Sequence, residues 1–307
     1  MRRRATLTLV IAVAALASAA PPARDGEAAV SFRSPAPGLP FILLDARVGG
    51  ADMPVLLDTG DALPFALVLA PAAAARVGAT PLPGAPFVSR AVIGGAPVSV
   101  QPALAQPLDI GPVHLAAAST GISAAVDAAA TALGVPIAGV VGYELLRGRV
   151  VAIDYACRRL DLAAVSPAAP PTAHVTITPR RPLALVPVTV NGRGPFRFAL
   201  DTGARTSVLA PATAEAAGLR GRGALELFGA GGRESATMLG PGRLRVGAAP
   251  PVTFPLLASD ALARISVEAG ARVDGILGAS ALAGGTLTVD YPGARLWLGR
   301  SPRRCPG

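Results

Sequence analysis

The chain has 307 residues, 51% of them hydrophobic but only 4% aromatic, and a formal charge of +9 carried by arginine without a single lysine. That length holds two domains of ordinary size with cores built from Ala, Val and Leu. The absence of lysine excludes a P-loop, a Schiff-base enzyme and a Ser-Lys dyad, and scattered arginines without interleaved aromatics argue against a nucleic-acid partner.

The chain opens with Arg2-Arg3-Arg4, an apolar run from Thr6 to Leu16 and the small residues Ala17-Ser18-Ala19. This is the pattern of an export signal over 1–19. It predicts a periplasmic or secreted protein with no integral membrane segment once the signal is removed. A Pro/Ala-rich arm follows over 20–37.

The first lobe is expected over 38–165. The apolar run Met53-Pro54-Val55-Leu56-Leu57 reads as a strand and runs directly into Asp58-Thr59-Gly60. Leu69-Ala70-Pro71-Ala72 leads on to Gly78, a short helix with Pro at its start and Gly at its end. Ile93-Gly94-Gly95 is a weak turn, and Ala124 to Leu133 reads as an exposed helix. The lobe closes with Val140-Val141-Gly142, the strand Val150 to Tyr155, and Arg159 to Leu162.

Prolines at 167, 170, 171 and 179 mark residues 166–181 as a linker with one strand at 174–178. A second lobe, 182–300, then repeats the first. Phe196 to Leu200 enters Asp201-Thr202-Gly203; Leu209-Ala210-Pro211-Ala212 leads to Gly218; Ile276-Leu277-Gly278 precedes Thr286 to Tyr291 and Arg295 to Leu298. The spacing from the late Gly to the strand-end Asp is 12 in both copies, Gly142 to Asp154 and Gly278 to Asp290. From the early Asp to the helix Pro it is 13 in the first copy and 10 in the second, so the first carries three extra residues after its Gly60. Residues 301–307 form a tail.

A single Asp-Thr-Gly is an ordinary turn at a strand end. Two, each with its own helix and its own apolar-apolar-Gly segment, resemble the aspartic peptidases, and more specifically their bacterial retropepsin-like branch. The resemblance covers Pro40 to Leu162 and Leu183 to Leu298. It implies an all-β, bilobal acid-protease fold: two β-barrel lobes with one short helix each, fused in one chain. It implies a monomer with pseudo-two-fold symmetry and a cleft between the lobes. Asp58 and Asp201 are then the catalytic pair, and Thr59, Gly60, Thr202 and Gly203 support them. Two carboxyls forced together share one proton and can activate water. The resemblance also implies a Gly-rich lid over a peptide or protein substrate. Phe228-Gly229-Ala230-Gly231-Gly232-Arg233 fits it in the second lobe, with Gly229, Ala230, Gly231 and Gly232 at its tip, while Ile93-Gly94-Gly95 is a much weaker counterpart. Neither carries a Tyr, a departure from the pepsin-like branch.

The main departure is Asp61, where the family has Ala or Ser. Turned into the cleft, its charge would raise the upper pKa of the pair; turned outward, it is a solvated loop residue, the reading favoured on sequence. Asp154, Asp274 and Asp290 read as turn residues, and His114 and His174 as surface residues. Two His and two Cys without short ligand spacing predict no metal, and no cofactor is expected. Cys157 and Cys305 follow equivalent strands, and in an oxidising compartment they are candidates for one disulfide. The leading expectation is an exported aspartic endopeptidase. The alternatives are a catalytically inactive peptide-binding module of the same fold and an envelope protein whose Asp-Thr-Gly turns are architectural.

Overall fold

The computed structural model describes residues 29–36, 38–301 and 305. The expected export signal over 1–19, most of the arm and most of the tail lie outside the described residues. Among those residues the strands form three sheets, and the fold is predominantly β.

Each half opens with a hairpin. Ile42–Val48 pairs with Ala51–Leu57, and Ala184–Val190 with Arg193–Asp201. Their turns, Gly49-Gly50 and Asn191-Gly192, hold two consecutive residues at positive φ (+53° and +84°; +51° and +77°). Such a turn matches the twist of the flanking strands, and Gly and Asn reach these angles at little steric cost. Along Ile42–Val48, Asp45 and Arg47 face solvent while Leu44, Ala46 and Val48 are buried. Toward the molecular centre this alternation gives way to continuous burial, from Val55 to Leu57 and from Phe198 to Leu200.

That burial arises because each Asp-Thr-Gly strand acquires a parallel neighbour. Gly139–Val141 lies alongside Ala51–Leu57 and pairs antiparallel with Leu67–Leu69 on its other side. Gly275–Gly278 sits in the same way between Arg193–Asp201 and Val208–Leu209. The two large sheets, of seven and eight strands, therefore run in corresponding order. The third sheet has six strands and draws on both halves. At its centre Val150–Asp154 pairs with Thr286–Asp290, and the arm supplies an edge, Ala29–Ser31. Cys157, just past Val150–Asp154, is disulfide-bonded to Cys305, with Cα atoms 5.3 Å apart.

The expected short helices are present as Pro71–Arg76 and Pro211–Ala216, each followed by a left-handed Gly, Gly78 and Gly218. One short helix per lobe, as the resemblance implied, is an undercount: the helix expected over 124–133 is present as Ala125–Leu133, and two more were not expected, Tyr143–Leu146 in the first lobe and Ala261–Ala269 in the second. The last escapes a propensity reading because Ile265 and Val267 are β-branched. Its signals are Ser259, whose hydroxyl accepts the Ala261 N–H at 3.0 Å, and the left-handed Gly270 that ends it. Nor does the linker hold one strand. It splits into Ala173–His174, on the shared sheet, and Thr176–Ile177, on the second lobe. Among the described residues no helix is long and apolar enough to cross a membrane.

Candidate active site

The two Asp-Thr-Gly turns meet where the halves join. The Asp58 N–H donates to the Val141 carbonyl at 2.9 Å, which fixes the turn to the strand beneath it. Four hydrogen bonds join the two turns across the halves. The Thr59 and Thr202 N–H groups each donate to the other threonine's Oγ1, at 3.1 and 3.0 Å. The hydroxyls in turn donate to the carbonyls of Leu200 and Leu57, at 3.1 and 3.0 Å. Both threonines are buried, at 2% and 0% exposure, so every polar atom in this brace needs its partner.

The brace brings the carboxyls of Asp58 and Asp201 within hydrogen-bonding range of one another. Gly60 and Gly203 make this approach possible. A Cβ on Gly60 would lie 2.5 Å from the Asp201 Cγ, and one on Gly203 would collide with the Asp58 carboxyl. Within each turn a backbone N–H holds its own carboxylate: Gly60 donates to Asp58 Oδ1 at 2.8 Å and Ala204 to Asp201 Oδ1 at 2.7 Å. Burial raises the pKa of Asp58 against these donors. It raises Asp201 further, because the charge on Asp58 acts in the same direction. Beneath the pair lie Tyr155 and Tyr291, whose hydroxyls are buried. Burial pushes both phenols up, with the charge of Asp201 adding at Tyr155, and Tyr143 and Asp58 adding at Tyr291.

Asp61 is not the solvated loop residue favoured on sequence. Its backbone is pinned from both sides: its N–H donates to the Asp58 carbonyl at 3.2 Å and its carbonyl accepts the Tyr143 N–H at 3.0 Å. The side chain turns inward. Oδ1 accepts the Leu63 N–H at 3.0 Å, and Oδ2 is buried without a hydrogen-bond partner. Burial and the Asp58 charge push its pKa up to about 7, against the pull of the Leu63 N–H and the Arg181 guanidinium. The physical reason is the tight turn: committed backbone groups fix the Cα–Cβ direction, and the Leu63 N–H selects the rotamer that turns the carboxyl inward.

Gly229, Ala230, Gly231 and Gly232 form the tip of a long hairpin, Gly221–Gly229 with Gly232–Val246. The weaker candidate is a hairpin tip too, carried by Phe87–Ser89 and Val98–Ile110. The two tips touch: Gly231 N–H donates to the Ile93 carbonyl at 2.9 Å, and Ala96 N–H to the Gly231 carbonyl at 3.1 Å. A cavity of about 390 Å³ opens beside Asp61, between Ala62, Leu63, Phe87, Val88, Arg181 and Glu268.

Of the expected site residues, the structure gathers Asp58, Thr59, Gly60, Asp61, Asp201, Thr202 and Gly203 at one point. Gly229 to Gly232 form a hairpin tip joined to its counterpart in the first lobe. Cys157 and Cys305 are bonded to each other at the shared sheet. Sequence reading missed Arg181, Glu234 and Glu268, which bond to the first-lobe hairpin tip. Asp274 is more than a turn residue: it is buried, accepts the Arg197 N–H at 2.9 Å and pairs with Arg272.

Residues 186–281 match the protein family described as Aspartyl protease. The matched stretch runs from the first hairpin of the second half, through Asp201 and the second lid, to just past Gly278. The match covers less than half of the chain and supports a protease-type function. No curated protein matches the chain.

Proposed function

We propose that this chain is an exported, single-chain aspartic endopeptidase that hydrolyses peptide bonds at an Asp58/Asp201 dyad. The observation that carries the reading is the contact between two part-buried carboxyls on a threonine brace that spans both halves. In the working state the pair holds one proton. The ionised carboxyl takes a proton from a water, whose oxygen attacks the scissile carbonyl carbon. The protonated carboxyl donates to the carbonyl oxygen. Return of a proton to the amide nitrogen then releases the amine as the C–N bond breaks. Positioned proton transfer of this kind contributes on the order of 10²–10⁴-fold, with no covalent intermediate, metal or cofactor.

The substrates are extended peptides with apolar residues at the cut. The lids offer backbone groups to which a peptide can add as a strand, and Ala91, Ile93, Leu225 and Leu227 provide partly buried apolar surface beside them. The protein works as a monomer, in the periplasm or outside the cell, and its halves are two copies of one unit. The corresponding strand order of the two large sheets supports the last point.

The test is cleavage of a denatured protein at acid pH by the wild type, Asp58→Asn and Asp201→Asn. Loss of at least 10³-fold in both variants is expected, whereas equal activity in all three refutes the dyad. A peptide-binding module without turnover is the second reading, favoured by the third part-buried carboxyl, Asp61, crowding the pair. Saturable binding of an apolar peptide with no cleavage between about pH 3 and 7 would select it.

A further inference from the structure

The two lids are built differently. The second is a hairpin with eight registered pairs between Gly221 and Gly229 on one strand and Gly232 and Leu239 on the other. The first has three, Phe87 with Val100, Val88 with Ser99 and Ser89 with Val98, and residues 90–97 beyond them carry no ladder. Such a hairpin cannot fix its own tip, since the position of a strand end comes from its cross-strand bonds and pairs. The tip is fixed by the other half of the molecule.

Glu268, on the helix Ala261–Ala269, accepts the Arg90 N–H at 2.7 Å. Its second oxygen lies 2.9 Å from Arg181, at the end of the linker. The Arg181 guanidinium lies over the Phe87 ring, 4.4 Å from its centroid, and reaches the Val88 carbonyl at 3.4 Å. It is only 11% exposed and Glu268 21%, so the ion pair is partly shielded from water. Further along, the Gly94 N–H donates to Glu234, which is itself held by Ser259 at 2.6 Å and Arg264 at 2.6 Å. Ala91 and Ile93 pack against the apolar cluster of the second lobe. The base of this lid is held within its own lobe, where the Phe87 ring meets Phe65 edge-on, whereas these polar anchors of residues 88–94 come from the linker end and the second lobe.

We infer that Glu268 and Arg181 are positioning residues that clasp the first-lobe lid shut from the second half, so that entry to the site is gated by a cross-lobe clasp. This deepens the peptidase reading and rests on it for the identity of what enters. The clasp acts on the closed lid with or without substrate, so weakening it speeds opening in both states. Entry and exit then accelerate together while affinity changes less than either rate.

The test uses the full chain. Hydrogen exchange without ligand reports the lid directly. Glu268→Ala and Arg181→Leu are expected to speed exchange across residues 87–97 by about five- to tenfold, the effect of losing one charged contact at a partly exposed site. Glu268→Gln, which keeps an acceptor for the Arg90 N–H, is expected to fall between. Glu226→Ala, which breaks an exposed ion pair on the second lid, is expected to leave 87–97 unchanged. Association and dissociation rates of a non-cleavable reduced-amide apolar peptide are expected to rise together in Glu268→Ala. Unchanged exchange at 87–97 in both Glu268→Ala and Arg181→Leu overturns the clasp, as does a rise in dissociation rate alone. Faster exchange with no peptide binding in any variant sinks the peptidase reading and leaves the clasp standing.

Discussion

At the scale of single residues, the site concentrates acid groups that would rather be neutral. Asp61 has the clearest consequence. Its folded pKa, about 7, lies above the ordinary 3.8, so between these values the folded state keeps a proton that the unfolded chain has lost. Stability is therefore full below about pH 4 and falls as pH rises toward 7. Asp61→Asn should leave urea stability at pH 4 nearly unchanged and raise it at pH 8, by roughly 3–4 kcal/mol at most. In an activity profile the same substitution should leave rates below about pH 6 unchanged, because Asp61 is already protonated and uncharged there. A profile altered below that pH would mean that Asp61 is ionised in the working enzyme. The threonine brace gives a second test. Thr59→Val or Thr202→Val strands a buried N–H and a buried carbonyl on the opposite half, so each should cost about 2–4 kcal/mol in denaturant unfolding. The double variant should cost less than the sum, since the two hydroxyls share one network.

At the scale of elements, the strand under each turn sets the geometry above it. Gly142, which ends Gly139–Val141, has room for nothing larger. A Cβ there would lie 2.6 Å from the Asp61 Cβ, 2.7 Å from the Asp61 carbonyl and 3.0 Å from the Asp58 carbonyl. Gly142→Ala must therefore displace the first turn. The expected result is at least a tenfold loss of kcat with a smaller effect on KM, since misplacing a reacting group by about 1 Å is enough. Gly148→Ala is the control, because a Cβ there meets nothing within 4 Å and should leave the kinetics unchanged. The elements that escaped sequence reading are those whose shape comes from partners. Ala261–Ala269 holds β-branched residues but lies on an apolar cluster through Leu262 and Ile265. The first lid has weak turn chemistry but takes its position from Glu268 and Glu234.

At the scale of the whole molecule, the halves are held by the shared sheet, the threonine brace, the clasp and one disulfide. The Cys157–Cys305 bond closes a loop of 148 residues. Removing it should cost roughly 2–5 kcal/mol by the loop-closure argument. Cys157→Ser, or wild type with reductant, should lower the melting temperature accordingly, and equal melting with and without reductant would show that the bond contributes nothing. By itself the sequence determined the β-rich class, the two Asp-Thr-Gly turns, the helices that follow them and the Gly-rich hairpin tip of the second half, because each is written in local chemistry: apolar runs, a Pro that starts a helix, a Gly that ends a strand or turn. It also marked Asp61 as a departure. Only the tertiary structure decided that Asp61 turns inward, that the brace joins Thr59 to Thr202 and that Arg181 and Glu268 grip the first lid. Each of these depends on groups more than eighty residues apart in the chain, or on a turn whose backbone partners lie on another strand, and no local pattern encodes which distant group will be the neighbour.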